Sequence, residues 1–162
     1  MIDYITLNLD NTLMIVFILS MIPIAELRLS IPIGIIVYGL SWKIVLITSV
    51  FGNILIGIFV LYLLPLIFNI LNKNKILKII INKIYKITRR KGKVVDTLKY
   101  YGLVLYIGTP LPFTGVWTGS LAAHIFGLSK NKSIIAISTG SIIAGILVTL
   151  LVKTGKYLFL NI

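Results

Sequence analysis

The chain has 162 residues, of which 58% are hydrophobic and 12% are charged, and it contains no cysteine. A soluble domain carries about twice that charge, and a chain this short cannot hide so many apolar side chains. Disorder, disulfide scaffolds and cysteine-based metal or redox sites are excluded as well. The composition therefore predicts one all-α integral membrane domain over residues 1–162, crossing the cell membrane more than once.

The first two apolar stretches are too short to cross a membrane alone. Residues 12–25 are interrupted by Pro23 and followed by Glu26, and residues 29–40 carry Pro32. A spanning helix needs about 20 apolar residues, and proline interrupts helical hydrogen bonding. The pattern predicts a re-entrant helical hairpin, which enters and leaves the membrane on the same side.

Two later segments are long enough to span the membrane. Residues 44–71 are uncharged over 28 positions, with Pro65 near the end as a predicted kink. Residues 134–152 form a second uninterrupted apolar segment of 19 residues. Each predicts one transmembrane helix.

A basic segment follows the first span. Ten of the 16 cations lie between residues 73 and 99, where apolar residues recur at helical spacing. This pattern predicts an amphipathic helix on the cytoplasmic membrane surface, which ends or bends at Gly92. A solvated basic linker is the alternative. Because the cations lie between apolar segments, nucleic-acid binding is excluded.

The apolar stretch over residues 103–128 is broken. It contains Pro110, Pro112, Gly115 and Gly119, which make an uninterrupted spanning helix improbable. We therefore predict a second re-entrant hairpin here.

The two halves of the chain repeat at an interval of 88 residues. Gly39-Leu40-Ser41 aligns with Gly127-Leu128-Ser129, and further glycines align within the two spans. The first repeat covers about residues 12–71, the linker residues 72–99 and the second repeat about residues 103–152. Because the basic linker places both of its ends in the cytoplasm, the two repeats insert with opposite orientation. Inverted repeats with broken helices that meet at the midplane are typical of transporters.

Glu26 and Arg28 are the candidate site residues of the first break. Charged side chains at membrane depth are costly and usually functional. Glu26 would exchange a proton, and Arg28 would hold an anionic substrate group. The alternative is that both residues cap the break in interfacial water.

The second break supplies the other candidates, which share hydroxyls, freed carbonyls or restricted backbone. They are Thr109, Pro110, Pro112, Thr114, Gly115 and Thr118. A helix that begins near Thr114 would direct its positive dipole end at an anion. A kink whose polar groups bond to each other is the alternative.

The remaining polar residues suggest structural roles. His124 is expected to be a buried imidazole rather than a proton relay, and Asn53 and Ser141 to hydrogen-bond across a helix interface. With one histidine and one embedded carboxylate, the sequence holds no acid–base pair or metal set, so no enzyme and no cofactor are predicted.

The motifs PIAELRLSIPIG, residues 23–34, and PLPFTGVWTG, residues 110–119, resemble the small multi-drug export protein family. That family looks related to the DedA-like membrane proteins, which share facing re-entrant hairpins and include lipid translocases. The resemblance implies the following motif positions: Glu26, Arg28, Pro32, Pro110, Pro112, Thr114 and Gly115. Phe113 departs from the small residue expected there, and its bulk would narrow a cavity.

These features predict a transporter of a small or lipid-like anionic substrate, proton-coupled through Glu26. The expected partners are membrane lipids, the substrate and a second copy of the chain, since two full spans would hardly enclose a cavity. A non-transport scaffold or assembly factor and a small exporter of cationic drugs are the alternatives.

Overall fold

The computed structural model describes residues 2–71, 73, 75–111 and 114–160, excluding the side chains of residues 2–10, 75–81, 156, 159 and 160. This part of the chain is all-α, with seven α-helices and one π-helical segment. In chain order the α-helices are α1 Ile2–Met21, α2 Glu26–Pro32, α3 Trp42–Leu71, α4 Lys75–Lys91, α5 Lys93–Gly108, α6 Val116–Ile125 and α7 Lys130–Leu160; the π-helical segment, Ile33–Val37, continues α2.

Two of these helices are long and apolar enough to cross a membrane. They are Trp42–Leu71, with 30 residues, and the 26-residue Lys130–Gly155 portion of α7. Both predicted spans are therefore confirmed as long apolar helices. Helix α3 continues through Pro65, which lies inside it near its end.

The predicted interruption of the first apolar region near Pro23 is confirmed. Helix α1 starts ten residues before the apolar stretch and ends at Met21, and a short turn over residues 22–25 separates it from α2. Pro32 does not break the chain, as it lies at the end of α2. The π-helical turns of Ile33–Val37 follow it directly, and such wider turns often accommodate a disturbed hydrogen-bond ladder.

The basic segment is helical, and α4 ends at Lys91, immediately before Gly92, as predicted. Helix α5 then contains a sharp bend at Lys99, whose φ of 51° and ψ of −118° are not helical. The sequence gives no proline or glycine signal at this position. The bend brings the second part of α5 back against the first, because Gly102 lies directly on the backbone of Val94 and Val95.

Residues 109–115 separate α5 from α6, which confirms the predicted break. The expectation that Gly119 contributes to this break is wrong, because Gly119 lies inside α6. An added Cβ at Gly119 would lie 2.6 Å from the side chain of Ile107. Close packing of α6 against α5, rather than chain flexibility, therefore explains this glycine.

The described structure divides into two compact units, Met1–Leu55 with Ser141–Ile162 and Ile56–Gly140. In the first unit, α1 packs against α2 and the π-helical segment. The beginning of α3 runs antiparallel to the end of α7, since Trp42 contacts Lys153 and Asn53 contacts Ser141. The buried apolar residues of this unit are Val16, Leu27, Ile31, Ile35, Val45, Ala144 and Val148.

The second unit has its own core, in which α6 packs against α4 and α5. Gly57 on α3 lies against Ile137 of α7 and Val116 of α6, and the Ser120 hydroxyl donates a hydrogen bond to the Gly57 carbonyl oxygen at 2.9 Å. The buried apolar residues are Leu61, Val95, Leu103, Ile107, Val116, Ala122, Ala123, Ala136 and Ile137.

Candidate functional site

The first break places a carboxylate in a buried, strained position. Glu26 is only 7% exposed, although it follows directly on the turn that ends α1. Its φ is 44°, and that of Ile24 is 84°. Positive φ values are unfavourable for residues with a Cβ, most of all for a β-branched residue, and such strain concentrates at functional sites. Ile24 is 92% exposed at the tip of the turn.

Arg28 is the neighbouring charge. It is half-buried on α2 and interacts electrostatically with Glu26. Both residues belong to the first unit. Because they interact electrostatically, the structure brings these two predicted site residues together. A nearby cation stabilises a buried carboxylate, and the carboxylate can take up a proton when that balance changes. Pro32 lies half-buried at the other end of the same helix.

The second break is organised by threonine hydroxyls. Thr109 leaves the helix with an extended backbone before Pro110, as proline demands of the residue that precedes it. The Thr109 hydroxyl donates to the Leu105 carbonyl oxygen at 2.7 Å. The Thr114 hydroxyl lies 2.7 Å from the carbonyl oxygens of both Thr109 and Leu111, so it can donate a hydrogen bond to either.

Helix α6 begins immediately after this loop. Gly115 has a φ of 138° and a ψ of −170°, a conformation essentially restricted to glycine. The Thr118 hydroxyl lies 3.4 Å from the Gly115 carbonyl oxygen, and it also shares a hydrogen bond with Tyr106. The three threonines thus bond to groups of the chain itself. Pro112 and Phe113 lie outside the described residues.

The first unit contains a buried polar bridge. Asn53 donates from Nδ2 to the Ser20 carbonyl oxygen at 3.0 Å, and the Ser141 hydroxyl donates to Asn53 Oδ1 at 3.2 Å. This confirms the predicted bond between Asn53 and Ser141. In the second unit, His124 packs edge-on against Phe68 with their ring centroids 5.0 Å apart.

Three buried hydroxyls of the first unit were not singled out in the sequence. Ser30, Ser49 and Thr149 are at most 3% exposed, and their hydroxyls have no hydrogen-bond partner among the described residues. Serine and threonine are common in apolar helices, so nothing in their spacing distinguished them. Ser30 lies one helical turn after Glu26, which makes it a polar neighbour of the carboxylate on the same helix face. Within the described residues, no group of histidine and acidic side chains could hold a metal ion.

Replacing Thr114 with valine tests how the second break is held. Valine has nearly the same shape but no hydroxyl, so the carbonyl oxygens of Thr109 and Leu111 lose their shared donor. We expect a loss of about 1 kcal/mol in the free energy of unfolding and faster backbone hydrogen exchange around residues 109–115. Thr114→Ser, which keeps the hydroxyl, is the control. Equal exchange in Thr114→Val and the unchanged protein would contradict a holding role for this hydroxyl.

Comparison with known families gives one match. A family model described as "Putative small multi-drug export protein" matches residues 26–147. The chain belongs to this family. The match begins at Glu26 and extends through the second break into α7, so it includes most of the candidate site.

Membership of the small multi-drug export family, together with two helices long enough to span a bilayer, indicates a membrane protein with a role in transport. The name describes export and not a chemical conversion, which is consistent with a protein that is not an enzyme. No curated protein and no solved structure gives a significant match.

Proposed function

We propose that this protein is a membrane transporter that moves a small or lipid-like anionic substrate and is coupled to protons through Glu26. The buried carboxylate carries the proposal: Glu26 is 7% exposed, in a chain whose family is named for export. Placing a carboxylate at membrane depth costs about 2.5–3.5 kcal/mol on insertion scales. Glu26 is costly to bury, and its backbone is strained as well. A chain that keeps such a residue gains a carboxyl group that can change its protonation state.

Arg28 is the proposed anchor for the anionic part of the substrate. Its guanidinium offers several donors to a carboxylate or phosphate and stays charged at all relevant pH values. When Glu26 is ionised, it competes with the substrate for this cation. When Glu26 takes up a proton, it no longer competes for the guanidinium, and Arg28 can hold the anion. Substrate binding is thereby coupled to protonation.

The proposed architecture has two inverted repeats, each a re-entrant hairpin followed by a spanning helix. Local geometry at equivalent positions supports it. Gly39 and Gly127, 88 residues apart, have φ values of 64° and 66°, and each has nothing within 4 Å of an added Cβ. Each of these glycines follows the helical segment that comes after a break, and each precedes a long helix.

Packing at other equivalent glycines supports the same proposal. Gly52 lies on Phe17 and Ser20, and its counterpart Gly140 lies on Val104 and Ile107. Subtracting the repeat interval of 88 from Val104 and Ile107 gives positions 16 and 19, each one residue before Phe17 and Ser20. Each glycine therefore packs against the helix that precedes the break of its own repeat.

A proteoliposome assay with a pH gradient tests the role of Glu26. Coupling energies of about 1–3 kcal/mol correspond to 5–150-fold effects, so Glu26→Gln should reduce the stimulation of flux by the gradient at least about fivefold. Asp96→Asn is the matched control, because Asp96 is a solvent-exposed carboxylate whose Oδ1 lies 3.7 Å from the Lys99 ammonium. Glu26→Gln with an undiminished response to pH would rule out proton coupling at this residue.

The substrate panel separates the alternatives. Anionic lipids and cationic drugs are offered to the unchanged protein and to Arg28→Ala, with the exposed Arg89→Ala as control. We expect anion flux to depend on Arg28 and not on Arg89. Flux of cationic compounds alone would favour the drug exporter that the family name suggests, and no flux of any compound would favour a scaffold or assembly factor.

A further inference from the structure

The first unit carries an apolar groove on the surface formed by the beginning of α3 and the end of α7. Its volume is about 350 Å³ and its lining is almost entirely hydrocarbon. The lining residues are Leu46, Ile47, Val50, Phe51, Ile54, Ile142 and Ile146. Several of these side chains are largely exposed, Ile47 at 69% and Phe51 at 58%. The candidate site at Glu26 does not include them.

One end of the groove is positively charged. Lys43 lies one helical turn before Ile47 on α3, and Lys153 lies two turns after Ile146 on α7, so both continue the stripes that line the groove. The Lys43 ammonium is 5.7 Å from the ring centroid of Trp42, and the Lys153 ammonium is 4.6 Å from the same ring. The two cations therefore meet at a single aromatic side chain.

These charges have no partner of opposite sign in the described structure. The ion pair between Asp96 and Lys99 involves neither Lys43 nor Lys153. Two like charges at one ring repel each other, and a nearby anion relieves that repulsion. Lys43 also lies at the opposite end of α3 from the basic segment that follows Leu71. In the orientation that this basic segment predicts, lysine is disfavoured on the side of the membrane where Lys43 lies.

We propose that this groove binds one acyl chain of an anionic phospholipid, whose phosphate is held by Lys43 and Lys153 beside Trp42. The dimensions fit. Residues 43–54 of a helix extend over roughly 16 Å, about half of a hydrocarbon core of ~30 Å, so the groove is as long as one leaflet is deep. Tryptophan is enriched at the level of the lipid head groups, where this ring would lie. The proposal requires neither transport nor Glu26.

Quenching of Trp42 fluorescence by brominated lipids tests it. The chain has two tryptophans, so Trp117→Phe leaves Trp42 as the only reporter. The protein is placed in vesicles in which phosphatidylglycerol, or phosphatidylcholine with the same acyl chains, carries bromine near the head-group end. Each lysine near an anionic lipid contributes about a fivefold preference. We expect quenching of Trp42 to show a preference of roughly 25-fold for brominated phosphatidylglycerol over brominated phosphatidylcholine. The double variant Lys43→Gln, Lys153→Gln should abolish this preference.

Lys130→Gln is the matched control. Lys130 also lies over an aromatic ring, with its ammonium 4.5 Å from the ring centroid of Tyr62, but it belongs to the second unit and not to the groove. It should leave the lipid preference at Trp42 unchanged. A preference that survives loss of Lys43 and Lys153, or that falls equally with Lys130→Gln, would overturn the proposal.

Native mass spectrometry gives a second measurement that does not need the Trp117 substitution. We expect phosphatidylglycerol to stay bound to the unchanged protein and to be lost when Ile146→Phe fills the groove. If Ile146→Phe instead leaves lipid binding intact and dissociates a dimer, the groove is an interface between two copies, and the lipid proposal is wrong.

Discussion

Gly102→Ala is expected to lower the free energy of unfolding by about 3 kcal/mol or more, the upper part of the range for overpacked sites. An added Cβ would overlap the carbonyl group of Val94 and lie 2.9 Å from the Cα of Val95. These are backbone atoms, which cannot rotate away as a side chain would. Relief therefore requires opening the bend at Lys99 and displacing Leu103, which is fully buried in the second core.

Unfolding in detergent mixtures with increasing denaturant measures this effect. Gly155→Ala is the control, since Gly155 lies in α7 with nothing within 4 Å of its added Cβ. There, alanine should stabilise the helix by about 0.5–1 kcal/mol because it loses less conformational entropy on folding than glycine. Gly102→Ala with the stability of the unchanged protein would mean that the two parts of α5 do not pack as closely as described.

Local chemistry explains which elements could be predicted from the sequence. The long apolar helices and the breaks near Pro23 and Pro110 depend on residues within each segment. Proline removes a hydrogen-bond donor, and a run of uncharged residues fixes the length of a span wherever the segment lies. The end of α4 at Gly92 has the same local origin.

The bend at Lys99 was not predictable in this way. Lys99 adopts a positive φ where the chain turns back, and this turn packs Gly102 on the backbone of Val94. Gly119 was misassigned for a related reason. A glycine that interrupts a helix and a glycine that leaves room for the side chain of Ile107 look the same in the sequence, and only the neighbouring helix distinguishes them. Tertiary contacts decide both positions, and one sequence does not contain them.

The candidate site shows the same division. Glu26 was identifiable, since a lone acid among apolar residues is conspicuous and family membership adds to that signal. Its backbone strain was not identifiable, nor were the unpaired hydroxyls of Ser30 and Ser49. Thr109 and Thr114 were correctly placed at an interruption, whereas Thr118 lies inside α6. The bonds of Thr109 and Thr114 to local carbonyl oxygens depend on the loop conformation.

Gly115→Ala is expected to reduce transport strongly while the protein still inserts and folds. At a φ of 138° and ψ of −170°, a residue with a Cβ is strained by about 1–3 kcal/mol. The Gly115 carbonyl oxygen accepts the Gly119 backbone N–H at 2.8 Å, so relieving the strain moves the first turn of α6. Because a helix start directs its positive dipole end at an anion, and the proposed substrate is anionic, we expect flux to fall at least about fivefold, within the range of typical coupling energies.

Gly127→Ala separates a local effect from general destabilisation. Gly127 also has a positive φ, 66°, but an added Cβ there meets nothing within 4 Å, and the residue follows α6 instead of preceding it. Alanine should cost about 1–2 kcal/mol of stability at this position. If transport depends on where α6 begins, Gly127→Ala retains flux in liposomes at equal protein content, whereas Gly115→Ala does not. Equal losses in both variants would assign the effect to stability and remove the second break from the transport mechanism.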